Sequence, residues 1–295
     1  EINMKRVIKN ILAVTAYYLY EKGILHNGIR VHSIDETIDE LLSTEKSMVR
    51  FGDGEIVMIK GGDLMLQKAA PEIGEGLAEI LAYSYDGLIV TIPGIFDTLS
   101  DHHKASRQFW KDHLLFCRKT YEKYCNPDRI YYSTFVSRCY YYGSDRSKCE
   151  GWFAKIRKIW ENKDIVIVEG TKTHNGVGND LFDSAGSIER IICPPSDAYG
   201  ALPAILDACL GYDKDRLFLL SVGVAAKFLA LELFRRGYRV LDIGNMDMEY
   251  EWYVRKAPDK LSLAKHDVAG EAANREAAVH NSAYGKYLEQ VKCWL

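Results

Sequence analysis

The 295-residue chain has no CxxC pair and no HExxH run, so the usual sequence signs of a zinc centre are missing. It has no GxxxxGK[ST] loop, which argues against a P-loop kinase or ATPase, and no GxSxG elbow of the serine-hydrolase kind. No apolar run is long enough to span a bilayer. No excess of charge exists either. A net charge of -3 gives no overall field to gather nucleic acid, so partners have to be recognised at a local site. No internal repeat, low-complexity tract or linker divides the chain. Its seven cysteines (Cys117, Cys125, Cys139, Cys149, Cys193, Cys209 and Cys293) are an odd number, and reduced thiols are expected.

What is present is the composition of an ordinary globular protein, 47% hydrophobic and 27% charged, with nineteen tyrosines. Near the start, Lys5, Arg6 and Lys9 precede the apolar run Ile11 to Leu19, which Glu21-Lys22 end without a cleavage site. An amphipathic helix packed on the body is expected there, with peripheral membrane contact as the alternative. Residues 1–32 form a helical extension and residues 33–295 a single α/β domain ending in a flap and a helix. A cytoplasmic protein is expected, with the inner face of the membrane as the alternative place; the oligomeric state is left open.

Apolar stretches at Leu88 to Ile92, Asp164 to Gly170, Ile188 to Cys193, Leu217 to Gly223 and Tyr238 to Ile243 read as strands covered on both faces. Helical patterns separate most of them, so the fold class is α/β: a Rossmann-like, mostly parallel sheet flanked by helices. Ser33 and Glu36 form a capping box opening the helix before the first long strand. His102 and His103 are expected at the surface. Ser262 to Glu271 is expected to be a mobile flap, and Ala277 to Val291 a closing helix.

The chemistry gathers at strand ends. After Ser47 to Arg50 come Phe51-Gly52-Asp53-Gly54-Glu55. On extended backbone Asp53 and Glu55 point the same way and can share a divalent cation, while Gly52 and Gly54 admit a phosphate and Arg50 forks onto it. A solvated turn explains the same residues equally well. Thr171 to Asp180 supplies glycines, hydroxyls and amides after another strand, Asn175 among them, and the helix after Gly223 presents an anion-accepting amino end. Gly176-Val177-Gly178 is not a dinucleotide fingerprint: Leu181 stands where the third glycine belongs, and no crossover helix fits before Ile188. Asp247, Glu249 and Glu251 make a second acidic group beside Tyr250 and Trp252. Asp247 and Glu251 share a face if the segment is helical, and all three do if it is extended.

Three blocks in this order, Arg50 to Glu55, Gly176 to Phe182 and Asp242 to Trp252, resemble the glycosyltransferases of the GT-D fold, over residues 33 to 260. That resemblance implies a UDP-sugar donor, a bacterial glycan or glycoprotein acceptor, and Mn2+ or Mg2+ as cofactor. In it Asp53 and Glu55 match the DxE metal acids. Arg50, Gly52 and Gly54 shape the donor pocket; Ser137 and Arg138 match a Ser-Arg pair; Gly176, Gly178 and Asn179 match the glycine-rich block; Asp247 and Glu249 match the late acids and are expected to activate the acceptor or orient the sugar. Asn245 stands where the family often has His, and His174 where Arg or another polar residue is expected. A non-catalytic nucleotide-sugar-binding module and a metal-dependent phosphoesterase are the alternatives.

Overall fold

The computed structural model describes residues 4–25, 28–83, 85–263, 265 and 282–295. Nine strands form one sheet in the order β1-β4-β3-β2-β8-β7-β5-β6-β9, with every neighbouring pair parallel. The strands are β1 (Arg30–Val31), β2 (Ser47–Arg50), β3 (Leu88–Ile92), β4 (Ile130–Ser133), β5 (Asp164–Gly170), β6 (Ser187–Cys193), β7 (Leu217–Ser221), β8 (Arg239–Asp242) and β9 (Val291–Trp294). All five residues of β3 and of β7 are buried, as are six of the seven in β5. That is why these segments read as unbroken apolar runs, and it requires cover on both faces of the sheet.

The cover comes from helices α1 (Met4–Glu21), α2 (Ile34–Ser43), α3 (Asp53–Ile59), α4 (Pro71–Ala82), α5 (Lys104–Tyr124), α6 (Cys149–Lys158), α7 (Leu202–Leu210), α8 (Ala225–Arg235), α9 (Met246–Val254) and α10 (Ser282–Gln290). The expected capping box is in place: the Ser33 hydroxyl accepts from the Glu36 amide at 3.2 Å, and Glu36 accepts from the Ser33 amide at 2.7 Å. Helix α1 lies on α5, where the Tyr20 hydroxyl donates to Glu122 at 2.6 Å and the Arg118 guanidinium sits 3.8 Å over the Tyr20 ring. Its Met4, Ile8, Ile11 and Leu12 face outward. No helix among the described residues is long and apolar enough to cross a membrane.

Several local expectations change. Strand β1 is too short to leave a pattern. His102 is only 3% exposed, because the loop after β3 folds in and ring contacts with Phe135 and Tyr142 enclose it. Phe109 stands 49% exposed although Trp110 and Leu114 of the same helix are buried. The closing helix is in place over Ser282–Gln290, but Val291 leaves it to pair alongside β6 as the first residue of β9. Of the expected flap, Leu263 is buried, and residues 264 and 266–271 lie outside the described residues, as does the 277–281 part of the closing helix. All seven cysteines are free thiols, six of them buried.

Candidate active site

At the carboxyl ends of β2, β8, β7, β5 and β6 a cavity of about 430 Å³ opens. Open parallel sheets bind ligands at this edge. Strand β2 supplies Arg50, and the chain then turns directly into α3. Gly52 is the N-cap, and Glu55 at the third helical position returns to accept from the Gly52 amide at 2.7 Å. The expectation of Asp53 and Glu55 side by side on extended backbone is therefore corrected: they stand in the first turn of a helix, where residues two apart diverge. Gly52 is an N-cap and Gly54 a packing position, since a Cβ at Gly54 would meet Leu64 at 3.1 Å.

The two acids have different surroundings. Asp53 is exposed on the cavity and has no hydrogen bond or ion pair among the described residues. Glu55 is buried, its Oε1 2.7 Å from Lys227 Nζ. Burial pushes the Glu55 carboxyl up, but Lys227 and Arg50 outweigh it and hold the group below its ordinary range. Lys227, 1% exposed on α8, also pairs with Asp242 Oδ2 at 3.0 Å, so one ammonium ties the start of α3 to the end of β8. Arg50 Nε lies 4.0 Å from Asp242 and its Nη1 donates to Thr134 at 3.4 Å. The guanidinium packs flat on Gly244, at φ +49, where any Cβ would overlap it. Gly223, Val224 and the amino end of α8 form the adjoining wall, a direction that favours anions.

Lys227, Asp242, Ser221 and Asp197 also line the cavity and were missed by sequence reasoning. The available signal was position: each follows or ends an apolar strand, except Lys227, which hides one turn inside a helix of apolar neighbours.

The glycine-rich block, residues 171–186, crosses from β5 to β6 in turns with no helix. Asn175 lines the cavity and is locked by Glu169, which accepts from its amide at 2.7 Å and its Nδ2 at 2.8 Å, while Asn175 Oδ1 has no partner among the described residues. Gly176, Gly178 and Asn179 instead border a second hollow beside α10. Gly176, at φ +76, leaves no room for a side chain, since a Cβ would approach Phe182 to 2.5 Å.

The late acids open α9, so Asp247 and Glu251 share a face, as expected for a helix. Asp247 accepts from the Gly176 amide at 2.9 Å and from Asn179 Nδ2 at 2.7 Å, and Lys265 Nζ lies 2.8 Å from both Asp247 and Glu251. Glu249 accepts from the amides of Tyr140 and Tyr141 at 3.0 and 2.8 Å, with Arg138 Nη1 3.6 Å away. Burial raises the Glu249 carboxyl, opposed by Arg138. Asp247 and Glu249 are both 0% exposed and absent from the cavity lining, whereas Arg138 reaches it. Ser137 is buried, its hydroxyl donating to Thr134 O at 3.3 Å.

The sequence profile of the family "Glycosyltransferase GT-D fold" matches residues 48–271. The chain belongs to that family. It is 42% identical over 268 residues to a Streptococcus gordonii protein named "Probable glycosyl transferase Gly", covering 89% of this chain and 39% of that protein. It is 40% identical over 240 residues to "Glycosyltransferase GlyD" of Streptococcus pneumoniae serotype 4, covering 81% of this chain and 29% of the relative. The chain thus spans well under half the length of either. A solved structure described as a new glycosyltransferase (DUF1792) from Streptococcus sanguinis superposes with a TM-score of 0.82 at 38% identity, covering 90% of this chain and 99% of that one. Another, described as a highly conserved domain with a distinct glycosyltransferase fold, gives 0.83 at 31% identity and covers 94% and 99%. The nine-stranded parallel sheet with its flanking helices is the GT-D architecture.

Proposed function

We propose that this GT-D domain moves a hexose, glucose or galactose, from a UDP-sugar to a hydroxyl of a bacterial glycan or glycoprotein, with Mn2+ or Mg2+ as cofactor. The observation that carries the reading is the make-up of one cavity: Arg50, Arg138, Lys227 and the amino end of α8 surround Asp53, an exposed carboxylate without a partner among the described residues, while the other exposed acid of the lining, Asp197, is taken up by Gln67 and the Lys68 amide. That is a setting for a diphosphate and its counter-cation.

The residues fit a hard cation held by Asp53 and by donor phosphate oxygens, the arrangement Mg2+ favours. Glu55 does not join that set as it stands, because its oxygens are on Lys227 and the Gly52 amide. Among the described residues no group of three or more His, Cys, Asp or Glu side chains is arranged around a metal, so donor oxygens have to complete the shell. When bound, the cation offsets the charge gathering on the departing UDP. The chain's own part is preorganisation: Arg50 and Arg138 fork onto phosphate oxygens, the α8 amides receive a third, and Lys227 fixes the wall behind them. Asp247 and Glu249 act by position, Asp247 by pinning the glycine-rich crossover and Glu249 by steadying Arg138.

UDP release from UDP-glucose or UDP-galactose in the presence of Mn2+ tests the proposal. Wild type turns over and Asp53→Ala does not; equal turnover in both defeats it. One observation favours the binding-module alternative: Asn245 lines the cavity, and an amide takes no proton near neutral pH. In that case UDP-sugar and Mn2+ raise the melting temperature while no UDP is released with any acceptor. The phosphoesterase alternative needs the late acids beside Asp53, and they are bound to the crossover and the 140–141 turn.

A further inference from the structure

The loops after β1, β3 and β4 enclose a second cavity, of about 380 Å³, at the same edge of the sheet as the first. A 3-10 turn, Thr134–Ser137, is the wall between them: Thr134 receives Arg50 on one side, Ser133 and Phe135 line the second cavity, and Arg138 lines the first. The geometry points to this second cavity as a subsite for a sugar ring of the acceptor, with Asp35, Asp101 and Asp145 accepting hydrogen bonds from its hydroxyls and Trp152 and Tyr142 meeting its apolar face. The assignment rests on the glycosyltransferase reading.

Three observations carry it. His102 is 3% exposed, its Nδ1 lies 2.9 Å from the Ser106 hydroxyl, and its ring lines the cavity. Burial lowers its pKa to about 4, so the ring is a neutral hydrogen-bonding group at working pH. Tyr142 lines the cavity as well, its ring stacked 4.1 Å from Phe135. Asp35 is fixed in place by Trp152 Nε1, which donates at 3.0 Å. Three carboxylates against one ammonium, Lys148, leave the lining net acidic, and with the neutral imidazole and aromatic edges that suits a polyhydroxylated ring better than a phosphate.

Methyl glucoside, methyl galactoside and methyl N-acetylglucosaminide are the probes, read by saturation-transfer NMR on the whole chain. At least one binds wild type and Asp53→Ala equally, and binding falls about tenfold or more in Asp101→Ala, an exposed and fold-neutral change, and in Trp152→Phe. The subsite is overturned if none binds while UDP-hexose is still turned over, or if binding survives Asp101→Ala and Trp152→Phe and vanishes in Asp53→Ala. Glycosides bound as expected without UDP-hexose turnover would support the subsite and sink the proposed activity instead.

Discussion

The acids after β2 and the acids opening α9 are the same residue types at the same two-residue spacing, each in the first turn of a helix, yet their surroundings are opposite. Asp247, Glu249 and Glu251 meet backbone amides, an asparagine and Lys265, and they close onto the interior. Glu55 meets a buried lysine, and Asp53 meets none of these. A buried carboxylate supplied with amides holds loops together; a carboxylate left open beside cations can take a ligand. The difference lies in what the rest of the fold brings to each helix start. Asp53 opens a helix at the cavity edge, whereas α9 is overlaid by the glycine-rich crossover and the 140–141 turn.

The comparison breaks most visibly at Lys227. Replacing it with Met leaves Glu55 and Asp242 buried without their cation and should cost about 3–5 kcal/mol of unfolding free energy, read from urea denaturation. A loss under about 1 kcal/mol would mean that the ion network does not support the site. Next, Asp247→Ala strands the Gly176 amide and Asn179, and should cost about 1–3 kcal/mol, with turnover falling in step with stability.

Acid and alkali sharpen the contrast. The folded-state pKa of Glu55 is depressed, so its contribution is present above the unfolded carboxylate range and is lost as pH falls through the folded value. That of Glu249 is raised, so its contribution is full below the unfolded range and is lost as pH rises through the folded value. Urea midpoints between pH ~3 and ~7 should therefore fall less on acidification in Glu55→Gln, and decline less on raising pH in Glu249→Gln, than in wild type. The smallest stability effect is expected of Asp53→Ala, within about 0.5 kcal/mol of wild type, although turnover is abolished.

Much of the sheet was legible because strands buried on both faces leave unbroken apolar runs, as in β3, β5 and β7. Strand β9 was not: it follows α10 without a break and alternates at the sheet edge, so the sequence alone continues the helical pattern through Val291. At the site, Arg50, Asp53, Asn175 and Gly223 were legible from strand ends and Arg138 from the family resemblance, and all five line the cavity. It misjudged how Asp53 and Glu55 stand, because Gly52 and Gly54 look like loop residues unless the N-cap role of Gly52 is known. Lys227 was invisible for a different reason. Its value comes from Glu55 and Asp242, brought to it by α3 and the end of β8.

The most direct measurement sets Asp53→Ala beside Asp247→Ala, recording apo melting temperature and Mn2+-dependent UDP release from UDP-hexose for each. The account predicts an unchanged melting temperature with no release for Asp53→Ala, and a lowered melting temperature for Asp247→Ala. Full UDP release by Asp53→Ala, at wild-type stability, would contradict it.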